Sequence, residues 1–125
     1  MKVNKINFED INFIKEAKKE RVTFDNPKNA NWFGIYNDDK LVSVYCLVIS
    51  KNKARFKSNY TIPAFRKRGC LALFIQHSKI ICKKNNIKEI TAFCTPLSVN
   101  SHLRYGAKLV SKKNDICFVK YELNS

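Results

Sequence analysis

The chain has 125 residues, 45% hydrophobic and 12% aromatic, with a formal net charge of +14. That is the size and composition of one folded domain, residues 1–125, too short for two cores and too apolar for a disordered segment. The start, Met1-Lys2-Val3-Asn4-Lys5, has no apolar run of signal-peptide length, and the stretch from about Leu41 to Ile49 is too short to span a bilayer, so a cytoplasmic protein is expected.

Asn7 reads as the N-cap of a helix from about Phe8 to Arg21, with Glu9 and Asp10 in the first turn and Ile11, Ile14 and Ala17 as the buried stripe. Residues 22–30, with Asn26-Pro27, read as a loop. Trp32 to Tyr36 and Leu41 to Ser50 read as two strands joined at Asn37-Asp38-Asp39. A third strand is expected from Ala54 to Ile62, with Phe56, Ser58, Tyr60 and Ile62 on one face, ended by Pro63.

From Gly69 to Asn85 the period becomes helical. Leu71, Phe74, Ile75, Ser78, Ile81 and Cys82 form one face, with Lys79, Lys83 and Asn86 away from it. Glu89 to Cys94 reads as a buried strand, Ser98 to Arg104 as a short helix stopped by Gly106, and Ala107–Ser111 with Ile116–Leu123 as a last hairpin. The order predicts an α/β (α+β) domain on one central, mixed and mostly antiparallel sheet flanked by helices.

The charge is lopsided. Residues 1–50 carry 8 Lys+Arg against 7 Asp+Glu, and residues 51–125 carry 16 against 3. The second part should present a basic surface suited to a polyanion or a phosphorylated cofactor, which does not by itself specify nucleic acid. Cys46, Cys70, Cys82, Cys94 and Cys117 form no C-x-x-C pair and lie at no zinc spacing from His77 or His102. They read as reduced, mostly buried thiols, with Cys94 the best placed for a chemical role, and no metal site is expected.

Arg66-Lys67-Arg68-Gly69 lies between a strand and an apolar-striped helix. That position gathers unpaired backbone N–H groups, the positive end of the helix dipole and three cations around a glycine, an arrangement able to hold a pyrophosphate. Here the sequence resembles the GCN5-related N-acetyltransferase (GNAT) family. Thr61-Ile62-Pro63-Ala64-Phe65-Arg66-Lys67-Arg68-Gly69-Cys70-Leu71 matches the proline, aromatic, arginine and first glycine of that family's acyl-CoA signature, and Ser98 to Ala107 follows as the later short helix does. The resemblance covers roughly residues 31–123. The sequence departs from the family pattern in having Leu71 at the second Gly/Ala, His102 at the usual tyrosine, and Asn59 and Tyr60 where many members carry a carboxylate base.

The resemblance implies a GNAT-like fold and an N-acyltransferase that moves an acetyl or other acyl group from acyl-CoA to an amine. It implies that backbone groups of Asn59, Tyr60 and Thr61 bind the pantetheine arm. The pyrophosphate would lie on Arg66, Lys67, Arg68, Gly69, Cys70 and Leu71. His102 would be the proton donor, titrating near neutrality at about 6.5, and Tyr105 a second candidate. With only Val22 to Ala30 before the next strand, a low wall is expected around the acceptor, which suits a large or acidic one. Two further implications are a nucleic-acid-directed member, as in Mom-type DNA-base modification, and a basic binding module without catalysis.

Overall fold

The computed structural model describes residues 1–123; residues 124 and 125, the end of the expected single domain, lie outside the described residues. Strand β1 (Val3–Ile6), a 3-10 turn (Phe8–Asp10) and helix α1 (Ile14–Lys19) come first. β2 (Ala30–Asn37), β3 (Lys40–Ser50) and β4 (Lys53–Thr61) follow, then a second 3-10 turn (Pro63–Phe65) and helix α2 (Cys70–Lys84). β5 (Glu89–Cys94), α3 (Pro96–Arg104), β6 (Lys108–Lys113) and β7 (Ile116–Glu122) complete the chain. The described strands form a seven-stranded sheet in the order β1-β2-β3-β4-β5-β7-β6, and β4 with β5 is its parallel pair. The expected α/β, mostly antiparallel architecture is present.

The first expected helix is the main departure. Residues 3–6, ahead of it, form an unexpected strand paired with β2, from Val3 opposite Ile35 to Ile6 opposite Trp32. The Asn7 N–H does bond the Asp10 carboxylate at 2.9 Å, but it caps a single 3-10 turn that ends at Ile11. Ile11 and Ala17 are buried as expected, whereas Ile14 is exposed and Phe13 is buried in its place. Edge pairing and the docking of Phe13 outweigh the helical period of this short segment.

Two cores lie on opposite faces of the sheet. On one, Phe74, Ile75 and Cys82 of α2 meet Phe33, Tyr45, Leu47, Phe56, Ile90 and Val119. On the other, Phe13 and Ala17 meet Ile6, Trp32, Val44, Cys46 and Tyr60. Fully burying side chains of this size contributes roughly 1.5–3 kcal/mol each. The Tyr45 hydroxyl meets Nδ1 of His77 at 2.6 Å, while the His77 ring stands edge-on to Phe33.

β4 serves both cores because it carries a bulge. Cys46 pairs with Lys57 and Val44 with Tyr60, so three steps on β4 match two on β3. Ser58 takes the strain, with φ 56 in the left-handed region. The expected single face of Phe56, Ser58, Tyr60 and Ile62 is therefore broken: Phe56 lies in the α2 core and Tyr60 in the α1 core. An alternation of period two cannot reveal an inserted residue.

Beyond the bulge, β4 also leaves its parallel neighbour. The β4–β5 ladder runs from Lys53 opposite Glu89 to Phe56 opposite Ala92 and stops. From Lys57 to Thr61, β4 has no ladder partner on the β5 side, and a gap opens in the sheet.

Candidate active site

The gap forms part of an open cleft of about 1240 Å³. Its lining includes Gly69 and Leu71 at the start of α2, and Glu20 to Thr23 after α1. Since α2 and α1 cover opposite faces, the cleft runs through the sheet between β4 and β5. The loop after α1 has no helix between Glu20 and Asn29.

The Arg66–Gly69 turn stands at one end of this cleft. Lys67 and Gly69 are both left-handed, with φ 63 and 88. They turn the chain so that the N–H groups of the first turn of α2 are left without helical acceptors. A Cβ on Gly69 would meet nothing within 4 Å, so the space before the backbone is open. Of the three cations, Arg66 is the most committed: its Nε donates to the Thr61 carbonyl at 2.9 Å and its Nη2 to Glu20 Oε2 at 2.7 Å. Arg68 lies over the Phe65 ring at 4.8 Å. Lys67 and Arg68 have no ion pair among the described residues. Cys70 points into the core, and Leu71 packs partly against it, so these two meet the cleft mainly through their backbone.

Asn59, Tyr60 and Thr61 line the unpaired edge of β4. Asn59 Oδ1 is buried without a hydrogen-bond partner among the described residues. Leaving such an atom unsatisfied costs on the order of 1–3 kcal/mol. The Tyr60 ring faces the α1 core, and its hydroxyl donates to Glu20 Oε2 at 2.7 Å. The Thr61 hydroxyl is 2.6 Å from that of Ser43.

Glu20 was not legible as a site residue, since 46 positions separate it from Arg66. Its carboxylate is held below the usual range by the hydrogen bond from Arg66 and then by that from Tyr60. It joins the end of α1, β4 and the basic turn at one rim of the cleft.

His102 and Tyr105 come from α3 and both line the cleft. The expectation that His102 titrates near neutrality is corrected. The ring is 4% exposed and burial pushes its pKa down to about 4, leaving it neutral at pH 7. Its Nδ1 hydrogen-bonds the Tyr121 hydroxyl at 2.7 Å, and Phe56 stands edge-on to it. Tyr105 is 38% exposed, and its carbonyl accepts from Lys79 Nζ at 2.6 Å. Cys94 is half-buried, and burial raises its thiol pKa, the wrong direction for an activated nucleophile. The five cysteines are all free, and no group able to hold a metal is found among the described residues. No described helix is long and apolar enough to cross a membrane.

No protein-family model and no curated protein matches the sequence. In structure, the chain is similar to the PaiA N-acetyltransferase of Thermoplasma acidophilum in complex with coenzyme A, at 17% identity and a TM-score of 0.71. That match covers 76% of this chain and 62% of the other, so the chain spans just under two thirds of PaiA. It is similar to the ribosomal-protein-S18-alanine N-acetyltransferase of Escherichia coli at a TM-score of 0.81 and 7% identity, covering 99% and 94% of the two chains. A GNAT family acetyltransferase from Elizabethkingia anophelis with acetyl-CoA bound matches at 0.72 and 10% identity over 98% and 97%. The chain therefore has the GNAT fold.

Proposed function

We propose that the protein is an acyl-CoA-dependent N-acyltransferase. The observation that carries this reading is the unpaired edge of β4, opening directly beside the turn at the start of α2. A flexible arm with amide groups fits such a strand edge, and an anionic end fits the free N–H groups, Lys67 and Arg68. Open space stands before Gly69. The fold shared with acetyltransferases solved with coenzyme A or acetyl-CoA supports the same assignment.

Acyl-CoA supplies a thioester whose acyl carbon an amine can attack. The amine must lose a proton, and the departing sulfur must gain one or be met by a positive field. Tyr105 is assigned the proton donation, because the residue lines the cleft and its hydroxyl is uncommitted to other described residues. His102, neutral and held by Tyr121, shapes the wall behind it. Glu20 is too firmly held by Arg66 and Tyr60 to be an efficient proton acceptor near neutrality. The site then suits an amine already partly neutral at pH 7–8, such as an α-amino group with a pKa of about 7.7–8.0, over a lysine at about 10.4. The low wall formed by the loop after α1, beside a basic surface, favours a large or acidic acceptor.

Calorimetry with acetyl-CoA tests the assignment first. Saturable heat is expected, and its absence at millimolar acetyl-CoA overturns the reading. Release of free thiol should then be faster with a peptide bearing a free α-amine than with an α-blocked lysine peptide.

A further inference from the structure

Half of the sheet is bare on the α1 side. α1 and its flanking residues cover this face over β1 to β4, where the second core lies. Over β5, β7 and β6 no described helix covers it, and its side chains follow from register. Ile90 and Ala92 point into the α2 core, so Thr91 and Phe93 point the other way. Across the strands, Arg55 neighbours Thr91, Thr91 neighbours Lys120, and Lys120 neighbours Lys108. Two residues further along, Phe93 neighbours Phe118, which neighbours Ser111.

A basic row thus runs beside an aromatic row on one flat surface. The rings of Phe93 and Phe118 are 4.9 Å apart, and Phe93 is 61% exposed, although nothing in the fold requires an exposed phenylalanine there. Glu89 forms an ion pair with Lys120 at 2.9 Å and lies opposite Glu122 in the next row, which closes the basic area on that side. Lys113 and Ile116 extend the surface on the other side.

We propose that this face binds single-stranded nucleic acid, with bases on Phe93 and Phe118 and phosphates at Arg55 and Lys108, the two cations of the row without an ion pair among the described residues. Exposed aromatics on a sheet, edged by cations, suit unstacked bases, since every base has a π-face and every linkage a negative charge. A duplex hides those base faces. A second copy docking here face to face would set Arg55, Lys108, Lys113 and Lys120 against their own counterparts. Arg55, Phe93 and Ile116 also line the cleft, so a bound strand leads into it. The binding is measured without acyl-CoA and stands apart from the transferase reading, whose amine is sought on a peptide.

The test is fluorescence anisotropy with a labelled oligothymidylate and an oligouridylate, against a duplex of equal length, heparin and polyglutamate, between about 50 and about 200 mM salt. Single strands should bind more tightly than the duplex, with log K falling by about 0.7 per log unit of salt for each phosphate held. Phe118→Ala and Phe93→Ala should each weaken single-strand binding by about 5- to 100-fold and leave heparin unaffected. Arg55→Gln should reduce the salt slope by about 0.7. Unchanged melting temperatures separate these losses from unfolding. Equal affinity for heparin or duplex with no effect of the Phe variants overturns the proposal, as does preference for polyglutamate, or self-association that Phe93→Ala abolishes. Acetyl-CoA calorimetry on the unaltered protein is read separately, so failure of either assignment is recognised independently.

Discussion

Nδ1 of His102 lies 2.7 Å from the hydroxyl of Tyr121, a contact that ties α3 to the last strand of the sheet. The ring is buried and its folded pKa is lowered to about 4, so the unfolded chain binds the extra proton first. Stability from the neutral ring is fully present above about pH 6.5 and is lost as pH falls toward about 4, on the order of 3 kcal/mol in all. His77 shifts in the same direction and adds to the loss. Thermal melts across this range should show the decline, and His102→Asn should flatten it while lowering the melting temperature at pH 7.

If Tyr105 donates the proton, Tyr105→Phe should lower kcat by about 100-fold or more with little change in acetyl-CoA affinity. His102→Asn should lower activity without displacing the pH dependence near neutrality, because the imidazole does not titrate there. Steady-state profiles from pH 6 to 9 separate the two residues.

Lys67→Ala with Arg68→Ala should weaken acetyl-CoA binding by at least about tenfold, since each charge-assisted hydrogen bond contributes roughly 1.5–3 kcal/mol. Arg66→Ala should differ in kind. Its pair with Glu20 is 40% exposed on both sides, so the salt bridge contributes about 1 kcal/mol or less. The larger consequence is a loosened turn, visible as faster hydrogen exchange at residues 66–69. Calorimetry and exchange on the two variants distinguish binding cations from a positioning one.

Gly69→Ala tests the turn's backbone. The added Cβ meets no atom, so the stability cost is the left-handed strain alone, about 1–2 kcal/mol. The same methyl occupies the space before the free N–H groups, so acetyl-CoA affinity should fall further than stability does. Gly69→Asn, better tolerated at this φ, should recover stability without recovering affinity.

The parts legible in the sequence are those written in local periodicity. α2 follows its 3.6-residue stripe, β5 falls at Glu89–Cys94, and Gly69 marks the start of a helix. β1 was not legible, because four residues reading Val-Asn-Lys-Ile become a strand only by pairing with Trp32 to Ile35. Glu20 joins Arg66 through the folded chain, and the depth of His102 depends on Phe56 and Tyr121, neither of them a neighbour in sequence. The cations of the candidate site could be read directly, but the partners that decide which of them are free could not.

Ser58 carries a consequence for any shortened or realigned version of this chain. Removing that single residue would restore regular pairing between β3 and β4 and leave Tyr60 opposite Val44 on the α1 side. Glu20 would keep its tyrosine, while the strand would continue straight instead of parting from β5. The opening exists because one strand miscounts against its neighbour.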